Sequence, residues 1–397
     1  MKYIFTLFGL LVFSHGTAQV FNDQQFRMVA LEGIEQVYNL NFEGAEQTFS
    51  SLTTTHASHP APHFLLAFNR WWQTYISETM DTYHGYIEEK LDQALELNEP
   101  LENKPGYELE YSFFQYMSYA FKARLQILKG ELFSAANTGR KALPHLKEGF
   151  KHAEKSPEFY FSSGIYHYYA EAYPKAHPIV KPFMVFFPDG DAEKGLTELL
   201  QAANTVNFTQ FEAKFYLCDI YLEELHEFAK GLDMTRQLSN QFPQNTWFKV
   251  NFAKALIYTG KFKQAESILK SVESKYNQVP GSKTKNIDSR TSRYTTIIMA
   301  RTANLLGHIA LQYHHNYQQA LSYLNESNRY ARLAKLEDHE LYPHNDFLRG
   351  LAFDLLRNRN AAVVAYKRAA RAEENEAVKS MARKGLRQPL TLSVLDK

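Results

Sequence analysis

From Phe21 onward, apolar side chains recur at three- and four-residue intervals, and alternating runs of Val, Ile and Thr are scarce. An apolar stripe with that period covers one face of an α-helix, whereas a half-buried strand needs a period of two. Glycine and proline fall mostly between the periodic stretches, at Pro60, Pro105-Gly106, Pro174, Gly260, Pro280-Gly281 and Pro343. Proline lacks the N–H a helix needs, and glycine ends helices without a steric penalty. The stretches are roughly 12 to 20 residues long and the connections short, which predicts an all-α protein of consecutive antiparallel helix pairs.

The pattern also repeats. In Tyr258-Thr-Gly260-Lys-Phe262-Lys-Gln-Ala265, a glycine ends one helix, an aromatic follows, and an alanine sits three residues later on the next helix. The aromatic-x-x-Ala step recurs at Phe42/Ala45 and Tyr317/Ala320, with Leu132/Ala135 as an aliphatic version. Four residues beyond the alanine come Phe49, Leu269 and Leu324, with Gly139 in that place in the 135 unit. A further unit has Gly350, Ala362, Tyr366 and Ala369, separated by 12, 4 and 3 residues. Small residues let two backbones approach, and a large side chain one helical turn on fills the adjoining gap.

These intervals resemble the tetratricopeptide-repeat (TPR) pattern, which implies helix pairs stacked as a superhelix. Ala45, Ala135, Gly260, Ala265, Ala320, Gly350 and Ala362 are the expected packing positions. Successive registered alanines lie 90, 130, 55 and 42 residues apart, so the α-solenoid is expected to be irregular, with lengthened loops. Residues 19–205 and 206–397 read as N- and C-terminal sets of TPR-like repeats, the first containing a Pro-rich break at 174–190.

The middle of the chain carries a second likeness. A stretch from Phe159 to Tyr169 containing Gly164 is followed by Pro174, then by Asp189-Gly190-Asp191-Ala-Glu-Lys-Gly195-Leu. Residues 60 to 275 resemble the tetratricopeptide-repeat protein 39 and inclusion-clearance family, and uncharacterised exported bacterial proteins share a similar stretch. The resemblance implies the same fold and transfers no chemistry. The family's members are intracellular, whereas the N-terminus here reads as a signal for export.

That signal is Lys2, the apolar segment Tyr3 to Phe13, and small residues at Gly16 and Ala18, which together define a secretory leader cut before Gln19. Residues 1–18 are therefore expected to be a signal peptide. Its Ala-Gln ending resembles those of Gram-negative bacteria, which points to the periplasm or the outer membrane. No later stretch reaches the roughly 18 apolar residues needed to span a bilayer. Cys218 is the single cysteine, so no intramolecular disulfide forms and no cysteine at the cleavage site offers a lipid anchor. Lys and Arg total 44 against 43 Asp and Glu, with no long basic run, so nucleic acid is not an expected partner.

Signatures of catalysis fail one by one. No phosphate-cradling glycine loop and no Gly-x-Ser-x-Gly elbow occurs. Ser162-Ser163-Gly164 falls in an aromatic helix, and Cys218 lies in the apolar run Phe215 to Tyr221, where burial is the expected role. His339 and His344 are five apart with Pro343 between them, which spoils a zinc-peptidase helix. His56, His59 and His63 are interrupted by Pro60 and Pro62. Asp189-Gly-Asp191-Ala-Glu193 begins like a calcium loop, but Leu200 stands at the twelfth position, so Asp191 reads as a helix cap. No catalytic residue, metal site or cofactor is expected.

Aromatics are the remaining candidates, at 14% of the chain. Trp71, Trp72 and the tyrosines from Tyr160 to Tyr173 read first as packing between repeats. The segment Pro182-Phe-Met-Val-Phe-Phe187-Pro188 places apolar side chains between prolines, either as a plug or as a docking patch. Phe183, Val185 and Phe187, with Tyr166 and Tyr169, are the candidate partner-binding residues. The expected function is a non-catalytic scaffold that binds a protein or peptide in the cell envelope. The alternative is a glycan- or nutrient-binding helical-repeat protein at the outer membrane.

Overall fold

The computed structural model describes residues 19–77, 80–152, 158–185, 187–205, 208–277, 293–336, 340–371 and 375–395. The expected leader, residues 1–18, lies outside them, as do Pro280, Gly281 and His339. No strand occurs among the described residues.

Helices pair in chain order: α1 (Gln24–Tyr38) with α2 (Phe42–Thr55), α3 (Ala61–Ser77) with α4 (Met80–Asn98), and α5 (Glu108–Leu128) with α6 (Leu132–His152). Then come α7 (Glu158–Ala176), a short α8 (Lys181–Met184) in the linker, and α9 (Ala192–Asn204), which packs on α7. α10 (Gln210–Asp219) pairs with α11 (Phe228–Gln241), and α12 (Thr246–Tyr258) with α13 (Phe262–Asn277). α14 (Arg293–Gln312) pairs with α15 (Tyr317–Leu333), and α16 (Leu341–Leu355) with α17 (Arg359–Ala369), before α18 (Glu376–Arg387) closes the stack. Each second helix also packs against the first helix of the next pair, giving a TPR-like α-solenoid.

Five of the turns inside pairs share one backbone form. Leu40, Gly130, Gly260, His315 and Arg357 all have φ between 53° and 75°. Each stands five residues before Ala45, Ala135, Ala265, Ala320 or Ala362, so the left-handed residue keeps the same register as the alanines. At three of these turns the next residue caps the second helix, as Asn41, Asn316 and Asn358 each accept from the backbone N–H three residues on.

Ala45, Ala265, Ala320 and Ala362 are fully buried and Ala135 nearly so. At Gly350 a Cβ would lie 2.5 Å from the Tyr366 ring, and at Gly33 only 2.2 Å from the Phe49 ring. Gly260 does something else. Nothing lies within 4 Å of where its Cβ would be, so it packs nothing and acts through its φ of +72°.

The coil closes on its own N-terminal end. Of the seventeen residues of α3, thirteen are buried, because it packs on its chain neighbours and also on α14. Glu212 of α10 accepts from Tyr38 Oη of α1 at 2.8 Å and from Trp72 Nε1 of α3 at 2.5 Å. Asn245 Nδ2 donates to Tyr38 O at 2.6 Å, and Arg293 Nε donates to Ser77 O at 2.7 Å. One apolar cluster accordingly runs from Val20 to Leu341, and a second covers Ala310 to Leu390.

Candidate ligand-binding groove

Where α3 ends, the inner face of the later helices stays open. Two cavities of about 330 and 290 Å³ lie side by side there, sharing Glu223, Asn251, Lys254, Arg301 and Glu340. Their lining steps along each helix at every third or fourth residue: Trp247, Asn251, Lys254 and Tyr258 on α12, then Arg301, Asn304 and His308 on α14. Glu340 and His344 continue it at α16, and Val378 and Met381 at α18. That spacing puts each set on one helical face, and the solenoid aligns the faces into one groove.

α10 contributes through a change of pitch. Its last residues run into a single π-helical turn, Ile220–Glu224, closed by Leu225 N donating to Ile220 O at 2.9 Å. An i→i+5 turn brings both Glu223 and Glu224 round to the side that carries Asp219. Glu223 pairs with Lys254 at 2.8 Å, and Glu340 with Arg301 at 3.3 Å. Glu224 accepts from the Tyr168 and Tyr169 hydroxyls, both at 3.0 Å. Burial pushes Asp219 up to about 7, with Glu223 adding to the rise against Lys254, Arg124 and Arg301. The Arg301 guanidinium lies 5.0 Å from the centre of the Trp247 ring. At the far end, burial with His308 and Lys254 nearby pushes His344 down to about 4. Asn304 Nδ2 donates to His344 Nδ1 at 3.0 Å, which leaves the proton of that neutral ring on Nε2.

No protein-family model matches the chain, and no curated protein matches it. Among solved structures, it is similar to the human IFIT1 dimer with PPP-AAAA, at 12% identity and a TM-score of 0.45, covering 85% of this chain and 70% of that one. The same dimer with m7Gppp-AAAA gives 13% identity and a TM-score of 0.44, over 84% of this chain and 68% of that one. The TPR domain of P58(IPK) gives 13% and 0.25, over 91% of this chain and 96% of that one. None of these likenesses says what this chain binds.

The candidate partner-binding residues do not form one site. Tyr169 lines the groove. Tyr166 turns to the linker instead, donating to Pro188 O at 2.7 Å. Phe183 and Phe187 are half-buried, with the Phe187 ring against Gly139 of α6, whereas Val185 is 77% exposed. Trp72 is buried in the closure of the coil, and Trp71 is buried against Phe121 and Arg124 of α5.

Ser163, His167 and Glu198 come together without the geometry of a catalytic triad. Glu198 Oε2 and Ser163 Oγ both approach the same ring nitrogen, His167 Nδ1, at 2.8 and 3.2 Å. A general base needs the serine on the opposite nitrogen, and Ser163 is buried. Burial pushes the Cys218 thiol up, away from nucleophilic use. Among the described residues, no group of three or more His, Cys, Asp or Glu is placed to hold a metal ion. His56 and His59 lie 3.2 Å from Asp23 and Glu110, partners remote in sequence. Asp191 caps α9 by accepting from Lys194 N.

Apart from Tyr169, sequence reasoning missed the groove's own residues. A signal was present: Asn251 and Lys254 interrupt the apolar α12, and Arg301, Asn304 and His308 make a polar stripe on α14, which is otherwise buried all round. Polar residues in step on helices that have no solvent face mark a shared internal surface.

Proposed function

We propose that the chain is a non-catalytic TPR-like scaffold whose groove holds an extended segment of a protein partner. The observation that carries this reading is the groove crossing the inner faces of α10, α12, α14, α16 and α18, polar at the α10 end and part apolar toward α18. With neighbouring helices about 9 Å apart, such a groove is roughly 36 Å long, enough for about ten extended residues. Its mix of ionic groups, amides and ring edges suits a peptide, which offers backbone donors and acceptors along its whole length. A nucleic acid fits poorly, because the α10 end is lined by four carboxylates against two cations.

The cell envelope is the proposed location, on the leader-like residues 1–18; an intact mass of envelope-fraction protein that still carries them would remove that part. Among the described residues, no helix is long and apolar enough to cross a membrane. Phe183, Val185 and Phe187 are proposed as a second, outer contact, on the exposure of Val185.

The test is affinity capture from native cells with Asn251→Arg, which fills the groove at a half-exposed position. The proposal expects the partner held by the native protein to be lost while helical content is kept. Equal recovery of that partner by a folded variant would contradict it. Binding of neutral oligosaccharides in place of peptides would favour the glycan-binding alternative.

A further inference from the structure

The two cavities are chemically unlike. The one at the α12–α18 end is part apolar, with Val250, Leu305, Leu341 and Val378 in its wall. The one at the α10 end is walled by the rings of Tyr75, Tyr169 and Trp247 and carries Asp219, Glu223 and Glu224. Three of its four carboxylates already have partners: Glu223 has Lys254, Glu340 has Arg301, and Glu224 has two tyrosine hydroxyls. Asp219 has no hydrogen-bond partner among the described residues, although it lies deeper than the exposed Glu223 and Glu224.

A carboxylate partly withdrawn from water and left without a donor is costly. It asks a ligand for a positive donor. Rings beside a carboxylate are the surroundings in which a cationic amine is held by ring quadrupole and charge together.

We propose that the cavity walled by Tyr75, Tyr169 and Trp247 takes the cationic side chain of a lysine or arginine of the bound segment, paired with Asp219. This rests on the reading of the groove as a peptide site and gives that site its specificity. The Tyr75 and Tyr169 rings flank the aliphatic stem, and the charged end meets the carboxylate. Lys254 stays engaged with Glu223 and does not compete for Asp219.

Proton linkage gives a second readout. The charged groups that bear on Asp219 are Glu223 beside it, Arg124 from α5, Lys254 from α12 and Arg301 from α14, with the Tyr169 hydroxyl facing it from α7. With those groups in place the carboxyl is pushed up to about 7. A cation binds only the ionised form, so binding releases a proton below that pH and tightens as pH rises from 6 to 8.

The experiment uses the whole mature chain and heptapeptide pools, randomised except for a central lysine, arginine, norleucine or glutamate, read by calorimetry at pH 6 and 8. The lysine and arginine pools are expected to bind at least about tenfold better than the norleucine and glutamate pools. Asp219→Asn, close to isosteric, should erase that preference and its pH dependence while leaving the melting curve in place. A preference that survives Asp219→Asn, or norleucine and glutamate pools that bind as well as lysine, overturns the proposal. If no pool binds, n-butylammonium alone becomes the probe. Saturable binding that Asp219→Asn abolishes would keep the cation pocket and discard only the peptide-groove reading; no such binding overturns both.

Discussion

Gly164 of α7 and Gly195 of α9 meet backbone to backbone: a Cβ on Gly164 would lie 2.9 Å from Gly195 O, and one on Gly195 would lie 2.8 Å from Gly164 O. These are two of the three glycines between Phe159 and Leu196, and their contact gives a physical reason for both. Gly195→Ala would also place a methyl 2.4 Å from Tyr168 N, which is backbone and cannot rotate away. The helices must separate, at a cost of about 1–3 kcal/mol or more. Thermal unfolding should show it, and an unchanged transition would mean that the α7–α9 contact is looser than described.

The left-handed turns make a prediction with opposite signs at two sites. Gly260 has φ +72° and open space around it, so Gly260→Ala meets only backbone strain and should lower stability by about 1 kcal/mol. His315 is exposed with φ 53°, so His315→Gly relieves the same strain and should raise stability by about 0.5 kcal/mol, the extra freedom of the unfolded glycine offsetting part of the gain. Denaturant midpoints that move the same way for both would break the shared turn geometry.

Glu158 sets a pH effect. Burial pushes it up to about 7 from an ordinary 4.5, although Phe208 N donates to it at 3.1 Å. Between those values the native state keeps a proton that the unfolded chain has lost, so this group's contribution to stability falls as pH rises from 4.5 to 7. Glu158→Gln removes the titration. Relative to the native protein, the variant should gain about 1–3 kcal/mol between pH 5 and pH 8 in chemical denaturation. A constant difference across that range would show that the carboxyl is not desolvated in the fold.

At the linker, Val185 and Phe187 should behave differently. Val185→Ser touches an exposed side chain and should leave melting within about 0.5 kcal/mol. Phe187→Ser gives up the contact with α6 and should cost on the order of 1 kcal/mol. If the linker is the outer contact proposed for it, Val185→Ser also weakens partner capture, though less than Asn251→Arg does; a larger loss at Val185 would make the linker the main site.

Much of the architecture is written locally. Period, turn residues and the alanine register are all short-range, so the helices and pairs could be read along the chain, down to Tyr366 filling the gap at Gly350. The closure of the coil could not. Glu212 meets Tyr38 across 174 residues and Asn245 meets Tyr38 across 207, and nothing near any of them announces the other. Gly33 went unread, although it stands sixteen residues before Phe49, the same interval that separates Gly350 from Tyr366 on the next helix. The groove was hidden for the same reason as the closure, since its residues are in step along each helix but gather only when the helices stack. Asp219 was visible merely as a polar residue in an apolar run, and the π-turn that sets Glu223 and Glu224 beside it has no signature in residue types alone.

The most direct test of the groove is site-specific photo-crosslinking in native cells, with a photoreactive residue placed singly at Asn251 in the groove, at Val185 in the linker and at Lys263 on the exposed face of α13. A discrete adduct with one partner protein is expected at 251 and none at 263. Adducts at 185 or 263 with 251 silent would contradict the groove reading.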